Sequence, residues 1–364
     1  MTKSQTGFIN AVFWLVYAVF QLVGGFDVDK FSPHKLIMIG LAGAVVSNII
    51  IYCNQSYPII IAAWTFNAII QFGIWPGVFK IISMQTAPSI SGIAVFLLLF
   101  STSVGLGFSM LIASFVSDWK QNFLISAISL LVFLLLYAAF YRFIDKRMVE
   151  KEPEPEQGKT NANQEKHPIL PLMFSSGLIV FMIICLLRTA IDNGIKMMTP
   201  IMLTESYADL PAAISTRISS ILVIFSAVGI FITGWVRSKV TSNEVKGQLG
   251  LFGLSIIPLT VSCFVGSLHY LLVFTVLSFS VMIIHSASSL NQSFTALRFN
   301  KYGRIGTVSG ILNATASIGN VLASYVFAEM MSWNMVVVSW VSAAVVCTVL
   351  SAVMLPRWTR FIEK

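Results

Sequence analysis

The chain has 364 residues, of which 56% are hydrophobic and 10% are charged, and its mean hydropathy is +0.83. In soluble globular proteins roughly a quarter of the residues are charged. The composition of this chain therefore excludes that class and predicts a protein embedded in a lipid bilayer. The net charge of +8 does not indicate a nucleic-acid partner, because most Lys and Arg residues lie in loops between apolar runs, where they orient a membrane protein.

Eleven apolar runs are long enough to cross a bilayer as helices. Residues 142–167, between the fifth and sixth runs, hold twelve of the 38 charged side chains. We therefore predict an all-α membrane protein with a five-helix bundle over 1–142, a solvated linker over 143–167 and a six-helix bundle over 168–364. The predicted spans are 7–25, 35–53, 57–82, 92–116, 121–142, 170–204, 211–236, 246–265, 269–297, 306–329 and 334–355.

The distribution of Lys and Arg predicts the orientation. Seventeen lie on one side, in the loops, the linker and the C-terminal tail, whereas only Lys3 and Lys120 lie on the other. Cytoplasmic loops are the ones enriched in these residues. We therefore predict that the chain crosses the cytoplasmic (inner) membrane with its linker and C-terminus in the cytoplasm.

The loop after the first span, GGFDVDKFSPHK, carries a spaced motif of the form G-x-x-x-D-K-x-x-x-x-K. It resembles the signature loop between helices two and three of the major facilitator superfamily. The resemblance implies that the glycine permits close helix contact. It also implies that the aspartate meets a basic residue and a helix N-terminus, which latches the two halves of the protein in one state. The residues of this predicted latch are Gly25, Asp29, Lys30 and Lys35.

A weaker copy of this loop, GWVRSK at 234–239, follows the seventh span. The two loops are six helices apart, as two parallel repeats of six helices would place them. The second loop has two helices before it in its half, whereas the first has one. We therefore expect a major facilitator fold of two pseudo-symmetric bundles, with five and six helices, in which the first helix of the family is absent.

Two further segments resemble the organophosphate:phosphate antiporter branch of that superfamily. In the third span, Asn67, Gln71, Gly73, Trp75, Pro76 and Lys80 fall on the branch pattern N-G-x-x-Q-x-x-G-W-P-P followed by a basic residue. In the sixth span, Gly194, Pro200 and Leu203 match the pattern R-x-G-x-x-x-W-x-P-x-x-L. Asp192 stands where the branch has a phosphate-binding arginine, and Met198 replaces its tryptophan.

Three charged residues of the sixth span, Arg188, Asp192 and Lys196, recur every four residues and so share one helix face. Charges at bilayer depth are costly and usually face a bundle interior or an aqueous cavity. We predict a substrate site in which Arg188 binds an anionic group and Asp192 exchanges a proton or acts as a counter-ion. The alternative is a self-satisfied i, i+4 salt bridge that has only a structural role.

Other polar residues within the spans are candidates for the same site. Asn67, Gln71 and Trp75 recur every four residues and either orient a ligand or form interhelical hydrogen bonds. His285 is either a proton relay or a hydrogen-bonded core residue. The run 170–204 is too long for one straight crossing, so it needs a kink, for which Gly194 and Pro200 are candidates, or an interfacial end.

No catalytic constellation or phosphate-cradling loop appears, and the four cysteines are scattered singly, so we predict neither an enzyme nor a metal or cofactor. We predict a secondary active transporter that moves a small polar, anionic solute by alternating access. Its partners would be the solute, a coupling proton or anion and the lipid bilayer. The alternative is a non-transporting membrane solute sensor or a truncated transporter product.

Overall fold

The computed structural model describes residues 2–27, 32–85, 88–149, 168–266, 268–330 and 332–363. Within these ranges the chain is almost entirely helical and has no strand. Eleven of the described helices are long and apolar enough to cross a membrane, five before residue 142 and six after residue 177, as the sequence predicts. These spans are Ser4–Leu22, Pro33–Cys53, Tyr57–Phe79, Ile93–Ala113, Trp119–Tyr141, Leu178–Ser206, Ala212–Val240, Glu244–Val265, Tyr270–Leu297, Gly306–Glu329 and Trp333–Ile362.

The third crossing of the first half is interrupted. A 3₁₀ turn at Gln71–Gly73 separates two α-helices, so Asn67 and Trp75 of the predicted polar face lie on different sides of this turn and Gln71 lies within it. In chain order the helices of this half are α1 (Lys3–Asp27), α2 (Pro33–Cys53), α3 (Tyr57–Ile70), α4 (Ile74–Gln85), α5 (Pro88–Ala113) and α6 (Trp119–Val149).

The run predicted as one span at 170–204 is two helices. Gly177 separates them with φ of 74°, a left-handed conformation that glycine adopts without steric cost. The long run therefore divides at Gly177. The second helix is not broken at Gly194 or Pro200, and a kink at these two residues stays a prediction. The helices of this half are α7 (Ile169–Ser176), α8 (Leu178–Ser206), α9 (Ala212–Trp235), α10 (Glu244–Val265), α11 (Tyr270–Ser289), α12 (Thr295–Leu297), α13 (Ile305–Val321), α14 (Phe327–Glu329) and α15 (Trp333–Ile362).

Three crossings of the second half contain π-helical segments. They are Val236–Val240 after α9, Leu290–Phe294 after α11 and Leu322–Val326 after α13. A π turn inserts one extra residue into a helix, shifts the face that follows it and is common at functional sites. The segment after α11 supplies a side chain to the charged cluster described below.

Helix packing repeats between the two halves of the chain. In the first half α2 packs on α6 and α1 packs on α3, and in the second half α10 packs on α15 and α9 packs on α11. The halves meet through α1 against α13 and through α5 against α9. Each pair within the first half corresponds to a pair six crossings later in the second half, and the same offset exchanges the two contacts between the halves. The packing therefore follows an approximate two-fold relation.

α8 and α13 are the most enclosed crossings. In each of them 61% of the most apolar stretch is buried inside the protein, whereas only 6% of that stretch is buried in α6. α13 approaches α8 closely at Gly319, where a β-carbon would come within 2.4 Å of the Leu186 carbonyl oxygen. Close approach of this kind depends on a residue without a side chain. α8 therefore lies at the centre of the second half, between α9, α11, α13 and α15.

Replacing Gly319 by alanine should force α13 away from α8. The added methyl group would overlap backbone, so we expect a destabilisation of about 1–3 kcal/mol, measured as a lower thermal unfolding midpoint in detergent. Gly250 of α10 has open space within 4 Å of the position that a β-carbon would occupy. Gly250→Ala is the matched control and should leave the midpoint unchanged or raise it; equal losses in both variants would contradict close packing at Gly319.

Candidate functional site

The charged residues of α8 lie in its middle third and are enclosed by other helices. Arg188, Asp192 and Lys196 are each only 4–5% exposed. Burying charges is costly unless each is paired or hydrogen-bonded. The partners of each charged side chain therefore decide whether all the charges of the cluster are paired within the protein.

The Asp192 carboxylate is held by two basic side chains. Lys196 Nζ lies 2.8 Å from Asp192 Oδ1, one helical turn away. His285 Nδ1, from α11, lies 2.8 Å from Asp192 Oδ2 and 3.2 Å from Lys196 Nζ. Both carboxylate oxygens thus have a nitrogen 2.8 Å away, although the Lys196 contact is an ion pair without hydrogen-bond geometry. The three side chains form one group, here called the Asp192 triad (Asp192, Lys196 and His285).

The Asp192 triad extends to the other half of the chain. Ser103 Oγ, in the middle of α5, lies 3.2 Å from His285 Nε2. Because Nδ1 faces the carboxylate, it carries the ring proton of the neutral imidazole, and Nε2 accepts a hydrogen bond from the Ser103 hydroxyl. The two ring nitrogens therefore connect the buried carboxylate of α8 to a helix of the first half.

The hydrogen-bond partners of Arg188 are different and are all neutral. One of its terminal nitrogens donates to Gln292 Oε1 at 2.5 Å and to Cys185 Sγ at 3.1 Å, and its Nε is buried without a hydrogen-bond partner. Among the residues that the structure describes, no carboxylate lies within 4.0 Å of its guanidinium. The cluster therefore holds two cationic side chains and one carboxylate, and the cation without an anion is Arg188.

A second polar path leads from Arg188 to the first half. Gln292 lies in the π segment Leu290–Phe294, and its Nε2 donates to Asn313 Oδ1 at 3.1 Å. The side chains of Asn313 and Gln21 in turn lie beside the Tyr17 hydroxyl on α1. Polar side chains of α1 and α5 are thus connected to the charged residues of α8 through intermediate side chains, which are Asn313 and Gln292 for Tyr17 and His285 for Ser103.

Comparison with known proteins identifies the architecture. The family model described as Major Facilitator Superfamily matches residues 1–324. The chain belongs to this superfamily. Together with the eleven spanning helices, membership makes it a multi-pass membrane protein of a transporter family. A "Probable hexose phosphate transport protein" of Chlamydia trachomatis is 22% identical over 398 aligned residues, which cover 98% of this chain and 83% of that protein.

The signature loop of the superfamily falls mainly outside the described residues. Asp29 and Lys30 are not among them. Gly25 lies in the last turn of α1, and Lys35 lies in the first turn of α2, where it is exposed. The latch formed by these four residues therefore stays a prediction.

The predicted polar face of the third crossing has local partners. Gln71 Nε2 donates to Asn67 Oδ1 at 2.7 Å. The Trp75 ring packs against Phe79, with ring centroids 5.1 Å apart. These contacts lie within the third crossing and do not extend to Arg188 or to the Asp192 triad, so the assignment of Asn67, Gln71 and Trp75 to a substrate site also stays a prediction.

Sequence spacing brings together Asp192 and Lys196 but misses most of the other partners. Ser103 and His285 are separated by 182 residues, and Arg188 and Gln292 by 104 residues. Arg188 shares a face with Asp192 by spacing, yet its partners come from the π segment after α11 and from its own preceding turn. A polar residue in an apolar span was the available signal for Ser103, Gln292 and Asn313, but it does not say which residues meet.

Proposed function

We propose that this protein is a secondary active transporter that moves a small anionic solute across the cytoplasmic membrane by alternating access. Arg188 is the residue that binds the anion. The observation that carries this proposal is a buried guanidinium whose partners are all neutral.

The cost of burying a charge supports this assignment. An arginine at bilayer depth without a counter-ion is expensive, and the nearby carboxylate of Asp192 already serves Lys196 and His285. An anionic group with several oxygen atoms would satisfy the guanidinium, including its unpartnered Nε, and arginine is well suited to carboxylate and phosphate groups. The excess positive charge therefore favours an anion over a neutral solute.

A phosphorylated sugar is the first candidate for that anion. The relative from Chlamydia trachomatis carries the name of a hexose phosphate transport protein. The site in this chain differs from the antiporter branch pattern, because an aspartate occupies the position of the branch arginine at 192 and Arg188 lies one turn before it. We propose that Arg188 takes over the anion-binding role from that position.

Movement of the two halves would expose the site to each side in turn. The halves meet through α1 with α13 and through α5 with α9, and Arg217 of α9 bonds Ser114 beyond the end of α5. Rocking about these two helix pairs would make and break the polar contacts from Ser103 and Tyr17. A bound anion would thereby be enclosed on one side before release on the other.

Uptake into proteoliposomes tests the proposed function. Purified full-length protein should exchange internal unlabelled glucose 6-phosphate for external labelled glucose 6-phosphate, and should not take up labelled glucose. Protein-free liposomes provide the background. Binding of glucose 6-phosphate without exchange would identify a sensor and contradict transport.

The orientation makes a separate prediction. The linker at 143–167 is rich in charged residues and belongs to the cytoplasm by the distribution of Lys and Arg. Protease should therefore cut it in inverted membrane vesicles and leave it intact in sealed right-side-out vesicles. Immunoblotting of the two halves measures this, and the reverse pattern would contradict the orientation.

A further inference from the structure

The Asp192 triad contains a lysine that is available to an anion only if Asp192 releases it. Lys196 Nζ contacts Asp192 Oδ1 at 2.8 Å, while His285 Nδ1 contacts the other oxygen at 2.8 Å. With a neutral imidazole, the carboxylate needs the Lys196 ammonium as its counter-ion. The site then offers one uncommitted cation, Arg188.

The position of the next proton is fixed by the contacts of the imidazole. His285 Nδ1 is assigned the ring proton, because the Asp192 carboxylate 2.8 Å away can only accept a hydrogen bond. The nitrogen without a proton is Nε2, which lies 3.2 Å from Ser103 Oγ. A proton that binds there makes an imidazolium, whose Nε2–H then donates to the Ser103 hydroxyl oxygen.

That proton changes the charge balance around Asp192. The imidazolium neutralises the carboxylate, so the Lys196 ammonium is no longer required. Lys196 Nζ also lies 3.2 Å from His285 Nδ1, and two cations at this distance repel each other. The proton therefore weakens the attachment of Lys196 to Asp192 in two ways, by neutralising the carboxylate and by repelling the ammonium.

We propose that a proton and the anion bind this site together, because protonation of His285 releases Lys196 from Asp192 to join Arg188 in holding the anion. The inference rests on the proposed function, since it adds a second cation to the anion site at Arg188. Lys196 lies two turns after Arg188 on the same face of α8, about 12 Å along the helix axis. Both side chains are long enough to reach a small anion at the level of Asp192, halfway between them.

The other titratable groups near His285 do not offer an equivalent switch. α5 and α13 carry no charged residue within their bounds, and Arg217, the one charge of α9, bonds Ser114. Cys347 of α15 contacts the Ile184 carbonyl. Of these groups, Arg188 on α8 lies close enough to act on His285. Cys185 on α8 and Cys347 on α15 lie beside Arg188, and Tyr17 on α1 lies beside Asn313.

The expected result is proton uptake when the anion binds. Titration of the purified full-length protein with glucose 6-phosphate at pH 7.5 should be measured by calorimetry in two buffers of different ionisation enthalpy. We expect the protein to take up about one proton per bound anion. The dissociation constant should fall as the pH falls, by up to about tenfold per pH unit for a one-proton linkage.

Two histidine variants separate His285 from other proton acceptors. His285→Gln keeps a hydrogen-bond donor for Asp192 but removes the nitrogen that accepts the proton, so proton uptake should disappear. His269→Gln is the matched control, because His269 caps α11 at the outer end of the crossing, and its uptake should stay at about one proton.

Two results would overturn the inference and leave the proposed function intact. One is binding to the wild-type protein with no proton uptake, which decides the question even if the variant fails to fold. The other is undiminished proton uptake in His285→Gln, which would place the proton on the solute, whose phosphate titrates near pH 6, or on another group. Absence of glucose 6-phosphate binding to the wild-type protein would instead contradict the proposed function, and the inference with it.

Discussion

Arg188→Gln is expected to weaken the binding of glucose 6-phosphate strongly. The guanidinium is the buried cation without an anionic partner in the described structure, and its loss removes the charged hydrogen bonds to the solute. Removal of one partner of a buried charge pair costs about 2–5 kcal/mol, which corresponds to roughly 30-fold to several-thousand-fold weaker binding. Isothermal titration of the purified protein measures the change.

Two further variants define what the loss at Arg188 means. Arg188→Lys keeps the charge but not the planar fork of donors, so it should bind more weakly than the wild type and more tightly than Arg188→Gln. Lys246→Gln removes one positive charge from an exposed position in the first turn of α10 and should bind like the wild type. Wild-type affinity in Arg188→Gln would contradict the assignment of the site.

Asp192→Asn is expected to be the most destabilising single change in the charged cluster. It leaves the Lys196 ammonium buried and without a carboxylate. Breaking a buried ion pair by removing one partner costs about 3–5 kcal/mol. A markedly lower unfolding midpoint in detergent, measured without solute, is the expected result.

A double variant distinguishes this charge effect from a simple loss of packing. Asp192→Asn combined with Lys196→Met removes both charges and should recover part of the lost stability, because neither partner is then stranded. Lys196→Met alone should also destabilise, since Asp192 keeps only His285. If the stability loss of the double variant equals the sum of the losses of the two single variants, the ion pair does not stabilise this part of α8.

The crossings and the charged face of α8 were predictable from the sequence because both depend on local pattern. Long apolar runs define the spans, and a spacing of four residues places Asp192 and Lys196 on adjacent turns. The break at Gly177 was less predictable, because a glycine in an apolar run reveals its backbone conformation only in the fold. Gly194 and Pro200 looked more disruptive, yet α8 passes through both.

The partners of the charged residues were not predictable, because they come from distant parts of the chain. Spacing alone groups Arg188 with Asp192. In the structure Asp192 forms a hydrogen bond with His285 of α11, and Arg188 donates a hydrogen bond to Gln292, which lies in a π segment. A π turn shifts the helix face, so a regular helical period does not place Gln292 correctly.

A structure of the protein with glucose 6-phosphate bound is the most direct test of anion binding at Arg188. We predict that a phosphate oxygen lies about 2.7–2.9 Å from a guanidinium nitrogen of Arg188, as in other charge-assisted hydrogen bonds, and that the solute lies between α8 and the polar side chains of α1 and α5. Solute density elsewhere in the protein, with Arg188 still bonded to Gln292 and Cys185, would contradict the account.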